Sequence, residues 1–225
     1  MKDKLNILYE DNHIIVVVKP QNILSQADST GDIDMLTIIK KYIKEKYNKK
    51  GNVYLGLVHR LDRPVGGVMV FAKSSKAASR LSNMIKNHEV TKKYLVIVNG
   101  ILSQKEGSFE DYLFKKEDGN TIVTTKEKGK FSKLNYKVLE EKDNLSLIEV
   151  ELLTGRHHQI RVAFSSRGYP LYSDQRYGKQ EEGDICLWAY KLSFMHPTLK
   201  EIKEFIYLPD SKNKAWTKFD LKKIL

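Results

Sequence analysis

The period of the apolar positions changes along the chain, and the changes mark its elements. Leu5 to Tyr9 and Ile14 to Val18 are short apolar runs around the polar turn Glu10-Asp11-Asn12. They predict two strands, the second ended by Lys19-Pro20. Thr30-Gly31-Asp32 marks a turn and a helix N-cap. Leu36, Ile39 and Ile43 then recur at spacings of three and four, joined by Met35, Ile38 and Tyr42, and predict an amphipathic helix through about Tyr47. Its other face carries Lys40, Lys41, Lys44 and Lys46, a solvated charged face. Val53, Leu55, Leu57 and Val58 predict one buried strand, and Val68 to Ala72 another. Ser74-Ser75 caps a second helix with Ala77, Ala78, Leu81, Met84 and Ile85 as its apolar stripe. Thr91 to Gly100 is a strand. Gly107 to Gly129 is polar, with Tyr112-Leu113-Phe114 as its sizeable apolar cluster, and predicts a mobile loop or hairpin. Strands follow at Phe131 to Leu139 and Leu145 to Leu153, a helix at about His158 to Ser166, and strands at Leu187 to Phe194 and Glu201 to Leu208. A Lys-rich tail starts at Asp210, and no internal repeat is present. The pattern predicts an α+β fold: one domain over residues 1–225, built on an extended, mainly antiparallel sheet with flanking helices.

Between the Val58 and Val68 strands lies the densest knot of charge, His59-Arg60-Leu61-Asp62-Arg63-Pro64, closed by Gly66-Gly67. Pro64 fixes its own φ and biases Arg63 towards an extended conformation. The glycines permit a tight return of the chain. Asp62 is thus expected on a rigid loop between two strands, flanked by Arg60 and Arg63. Two neighbouring cations keep a carboxylate charged and supply a field that draws phosphate. The same residues would equally make a structural ion-pair loop.

Charge widens the picture. The 225 residues carry 39 Lys and Arg against 28 Asp and Glu, a formal net charge of +11. That balance favours an acidic partner, most commonly nucleic acid, although a Lys-rich proteome alone would make a protein basic. The single cysteine, Cys186, excludes an internal disulfide and a Cys-rich zinc site. It lies in the apolar run Ile185 to Ala189 and reads as a packed core thiol. The adjacent His157 and His158 raise a metal reading, set aside because neighbours on a helix do not face one site and no H-x-x-x-H spacing supports it. Met1-Lys2-Asp3-Lys4 leads into a strand and not into a secretory apolar segment, and no run approaches the roughly 20 apolar residues of a membrane span. A cytoplasmic, monomeric protein without membrane contact is the expectation.

Six motifs change the weight of these readings. Y-E-D-N-H-I-I-V-V-V-K-P ends at Lys19-Pro20; H-R-L-D-R holds Asp62; T-K-K-Y holds Tyr94. L-T-G-R-H-H-Q-I-R spans Leu153 to Arg161, followed by G-Y-P-L-Y-S-D-Q-R-Y-G, and L-W-A-Y-K-L-S-F-M-H-P closes the series. In that order, from about Leu8 to about Pro209, they resemble the RluA-type pseudouridine synthase family. Ser173 stands where the family usually has glycine, and Pro64-Val65-Gly66-Gly67 departs from its commoner T-S-G wording.

The resemblance implies isomerisation of uridine to pseudouridine within rRNA or tRNA, with no cofactor and no metal. It makes Asp62 the catalytic nucleophile, Tyr94 the ring that stacks on the extruded base, and Arg161 the partner that pairs with Asp62. The cleft would lie where the Asp62 loop meets the helix carrying Arg161. Lys19, Arg60, Arg63, Arg156 and His158 are the residues that would meet RNA, although Lys19 taken alone reads as a solvated strand end. Many members carry an S4-type RNA-binding domain ahead of this part, and this chain is expected to lack one. The rivals are a non-catalytic RNA-binding module on the same fold and a carboxylate glycosidase. Glycosidases usually pair two acids, whereas the neighbours of Asp62 in sequence are arginines.

Overall fold

The computed structural model describes residues 5–179, 181–209 and 213–225. The opening Met1 to Lys4 and the start of the Lys-rich tail at Asp210 lie outside them. The chain forms two compact units: residues 1–91 with 191–207, and 92–190 with 208–225.

In the first unit, β1 (Asn6–Glu10) pairs antiparallel with β2 (Ile14–Lys19). The turn between them is fixed by Asp11, whose Oδ1 accepts from His13 N at 2.7 Å and Ile14 N at 2.8 Å. Helix α1 (Met35–Lys46) follows. Its N-cap is Asp34, which accepts from Thr37 N, so the cap lies beyond the Thr30 to Asp32 turn. The polar stretch around Thr30 instead bonds locally, Thr30 N donating to Asp28 and Thr30 Oγ1 to Asp32.

Strand β4 (Gly66–Ala72) pairs antiparallel with β2, Ile14 opposite Ala72 and Lys19 opposite Gly67. Alternation sorts the two strands into faces. Ile14, Val16, Val68, Val70 and Ala72 pack with Ala77 and Leu81 of α2 (Ser75–Lys86), and with Leu192 and Phe194. Ile15, Val17, Met69 and Phe71 are fully buried on the other face. Both faces covered is why these strands read as continuous apolar runs.

The strand expected over Val53 to Val58 shrinks to β3 (Gly56–Leu57). Residues 58–65 have no ladder of their own. The turn also falls earlier than the glycines suggest: Val65 N donates to Asp62 O at 3.0 Å, and Gly66-Gly67 already belongs to β4. Gly67 is nevertheless needed, at φ 129.

In the second unit, β5 (Thr91–Asn99) pairs antiparallel with β9 (Leu145–Leu152), and β9 with β8 (Lys130–Lys142). The polar 107–129 stretch is a hairpin, β6 (Glu106–Lys115) and β7 (Thr121–Thr124), whose first strand pairs with β8 from Glu106 to Leu113. Helix α3 (Gln159–Ser165) sets Phe164 edge-on against Phe109 and Tyr136, with ring centroids 5.2 and 6.0 Å away. Strand β10 (Leu187–Met195) gives its first four residues to this unit and the rest to the first, where it pairs with β11 (Ile202–Ile206). Antiparallel strands with three α-helices make the fold α+β.

Candidate active site

Asp62 is held from the β2 end of its unit. Lys19, at the end of that strand, is not a solvated strand end: its side chain is fully buried. The strand carries it under the 61–64 turn, where Nζ donates to the carbonyls of Pro20 (3.0 Å), Ile23 (2.5 Å) and Arg63 (3.1 Å). Its surroundings therefore fit a loop anchor and not a surface contact for phosphate. Burial pushes its ammonium down to about 7; the Asp62 carboxylate opposes that shift and the Arg63 guanidinium adds to it. Lys19 thus stands in the field of Asp62, a cation that sequence reading placed in solvent.

Two further side chains of the same segment reach this loop: Ser25, which meets Leu61, and Gln21, whose Nε2 donates to Pro64 O at 3.1 Å. Neither was a candidate on sequence, because their partners lie 36 and 43 residues away. His59 Nε2 accepts from Val70 N at 3.1 Å, which places the ring's proton on Nδ1 when it is neutral. Arg63 and Arg60 are exposed. Arg63 pairs with Asp32 at 2.7 Å, so the loop around Thr30 supplies its counter-charge.

The second unit holds the other candidates. Tyr94 lies in β5 opposite Val150 and is 7% exposed. Beside it, Glu149 receives Lys93 at 2.8 Å and the Tyr190 hydroxyl. Arg161 projects from α3 and is 5% exposed. Nε and Nη2 donate to the two oxygens of Asp174 at 2.8 and 2.6 Å, a bidentate clamp on one edge of the guanidinium. Asp174 Oδ1 also accepts from the backbone N–H groups of Arg176 and Tyr177, and the guanidinium carbon lies 5.1 Å from the Tyr177 ring centroid. Asp174 and Tyr177 had been visible as the S-D-Q-R-Y-G wording, without a role.

The helical reason for setting the histidine pair aside does not hold. Neither residue is in α3, which starts at Gln159, and His158 adopts φ 53. That turn stacks the two rings, 3.7 Å between centroids. His158 Nδ1 meets the Tyr177 hydroxyl at 2.7 Å and His157 Nδ1 meets Thr121 Oγ1 at 2.8 Å. Burial, reinforced by Arg161 and His157, pushes His158 down to about 2. It is neutral at physiological pH and offers phosphate no cationic charge. No cluster of His, Cys, Asp or Glu suited to a metal occurs among the described residues. Arg156 is exposed, its Nε donating to Phe131 O at 2.8 Å. Gln159 locks the motif from within, accepting from Thr154 Oγ1 and Arg156 N and donating to Lys133 O. No described helix is long and apolar enough to cross a membrane.

An uncharacterised RNA pseudouridine synthase of Bacillus subtilis, YlyB, is 31% identical over 207 residues, covering 89% of this chain and 68% of the relative. Ribosomal large subunit pseudouridine synthase C of Buchnera aphidicola subsp. Baizongia pistaciae is 31% identical over 210 residues, 87% of this chain and 64% of the relative. The fold matches human RNA pseudouridylate synthase domain containing 4 with a TM-score of 0.76 at 21% identity, over 91% of this chain and 88% of that one. Residues 13–166 match the family model for RNA pseudouridylate synthase, and with that match over more than half its length the chain belongs to this family of isomerases.

Proposed function

We propose that the protein isomerises uridine to pseudouridine in rRNA or tRNA, with Asp62 as the catalytic nucleophile. The N1–C1′ bond breaks, the uracil turns in place, C5 bonds to C1′, C5 gives up its proton and N1 gains one. Neither redox change nor ATP enters this balance. Tyr94 holds the turning base, and Arg161 pairs with the ionised carboxylate and steadies it. A flipped uridine needs a flat partner and a fixed charge, and those are the groups named. Exposed Arg60, Arg63 and Arg156 are suited to phosphate, Arg63 by exchanging Asp32 for it.

The observation that carries the reading is the setting of Asp62 itself. Its loop is anchored by a fully buried lysine whose ammonium form and the Asp62 carboxylate favour one another. The test uses unmodified rRNA and tRNA transcripts labelled with [5-³H]uridine, whose tritium is released only when C5 gives up its hydrogen. Asp62→Asn removes the charge at nearly constant shape. It is expected to abolish release while the protein still folds and still binds the transcripts. Retained release removes Asp62 from the chemistry. No release from the wild type with undiminished binding favours a non-catalytic RNA-binding role.

A further inference from the structure

The Asp62 loop has an unusual support. Between β3 and β4 the backbone has no ladder, so its polar groups must find partners elsewhere. At Leu61 a single hydroxyl meets both: Ser25 Oγ donates to Leu61 O at 2.7 Å and accepts from Leu61 N at 3.1 Å. Both residues are buried, at 5% and 6% exposure, so water does not readily replace either bond. Leu61 C=O and Asp62 N belong to one peptide plane. Fixing that carbonyl fixes the plane entering Asp62, and with it the direction of the Asp62 side chain. On the far side, Lys19 holds Arg63 O and Gln21 holds Pro64 O. The plane entering Asp62 is thus set by Ser25, while the plane leaving it is held through Asp62 O by Val65 N, whose own plane Gln21 fixes through Pro64 O; these side chains come from one short segment, 19–25.

We propose that Ser25 is a positioning residue for Asp62, acting through the Leu61–Asp62 peptide plane, with Gln21 as its counterpart on the other side. This rests on the reading of Asp62 as the nucleophile. A carboxylate that must meet a reacting carbon within a few tenths of an ångström depends on its backbone plane, and misplacement by about 1 Å can cost 10²-fold in rate. Binding of the RNA depends on phosphate contacts elsewhere and does not sense that plane. The two effects therefore separate.

The experiment compares wild type, Ser25→Ala, Ser25→Thr, Gln21→Met and Asp62→Asn in the tritium-release assay on the same transcripts, with transcript binding and thermal melting measured on each. Ser25→Ala removes donor and acceptor together. Its kcat is expected to fall on the order of 10- to 100-fold with KM and transcript affinity within about twofold of wild type. Ser25→Thr keeps the hydroxyl and is expected to recover most of the rate. Gln21→Met removes the bond to Pro64 O at a less buried site and is expected to lower kcat alone, by less. If Ser25→Ala fails to fold, Ser25→Thr and Gln21→Met decide the matter. Folded Ser25→Ala with wild-type kcat overturns the proposal, as does an equal loss of binding and turnover, or wild-type kcat in Gln21→Met where Ser25→Ala fails to fold. Failure of the underlying reading looks different: Asp62→Asn itself would then release tritium, or the wild type would release none.

Discussion

Arg161 donates to both oxygens of Asp174, and the two side chains are 5% and 0% exposed. A buried cation stripped of its partner loses the attraction that offset its desolvation, at a cost of about 3–5 kcal/mol. Asp174→Asn keeps the shape and removes the charge. It is expected to lower stability by about that amount in urea denaturation, and to lower turnover more than transcript binding because Arg161 loses its bidentate charged clamp. Unchanged stability would show that water screens the pair. Both residues were legible in sequence as motif letters, but not as partners of each other, since nothing in spacing announced Asp174 beside Arg161. Lys19 shows the same limit in stronger form. A lysine ending an apolar strand ordinarily reaches solvent, and only the path of residues 20–25 and 61–64 around it makes a buried anchor. Ser25 carried no signal at all, since a hydroxyl's use depends on which backbone comes to meet it.

Elements were legible where period decides them and less so where a side chain ends them. Strands β2 and β4 and helices α1 and α2 lie where continuous apolar runs and the three-four spacing put them. The start of α1 was misplaced because Asp32 and Asp34 are equally good caps on paper, and only Asp34 meets Thr37 N. Strand β1, helix α1 and the end of β4 are tied at one point. Glu10, at the end of β1, receives Lys46 from the end of α1 and Lys73 from just beyond β4, each at 2.7 Å, and the hydroxyls of Tyr42 and Tyr47 at 2.9 Å. Burial works to raise the Glu10 carboxyl, but these four bonds outweigh it and hold the group at about 2, below its ordinary 4.5. The sign follows from proton binding. Between those values the unfolded chain takes up a proton that the folded one refuses, so stability falls as pH drops from about 4.5 to about 2. Above that window the contribution is fully present. Glu10→Gln cannot titrate, so the stability gap between wild type and variant is expected to be constant from pH 7 to 5 and to narrow below pH 4.5. Denaturant midpoints measured at pH 7, 5 and 3 check this, and a gap independent of pH would mean that the four contacts contribute packing and not charge.

At the scale of the whole molecule, net charge was legible from the first and its disposition was not. A formal +11 is a sum, and many of its cations are already engaged. Lys105 pairs with Glu141, Lys133 with Glu110, Arg167 with Asp111, and Arg63 with Asp32, while Lys19 and Arg161 are buried. Charge can hold RNA only through the cations that reach solvent, such as Arg60 and Arg156. Each phosphate neutralised by one of these releases condensed counterions, so log affinity for a transcript should fall linearly with log salt, by roughly 0.7 per phosphate on a single strand. About three such contacts give a loss of roughly tenfold or more between 50 and 200 mM salt. Arg60→Ala is expected to weaken all transcripts by a similar factor and to flatten that slope by nearly one contact. Tyr94→Ala, by contrast, should leave slope and affinity close to wild type and lower turnover, because a ring that holds the base acts after the backbone is bound. Binding titrations of one unmodified transcript across a salt series, run for wild type and both variants, separate these outcomes. An affinity indifferent to salt would mean that the surplus of lysine is compositional, and that base contacts or a partner protein carry recognition.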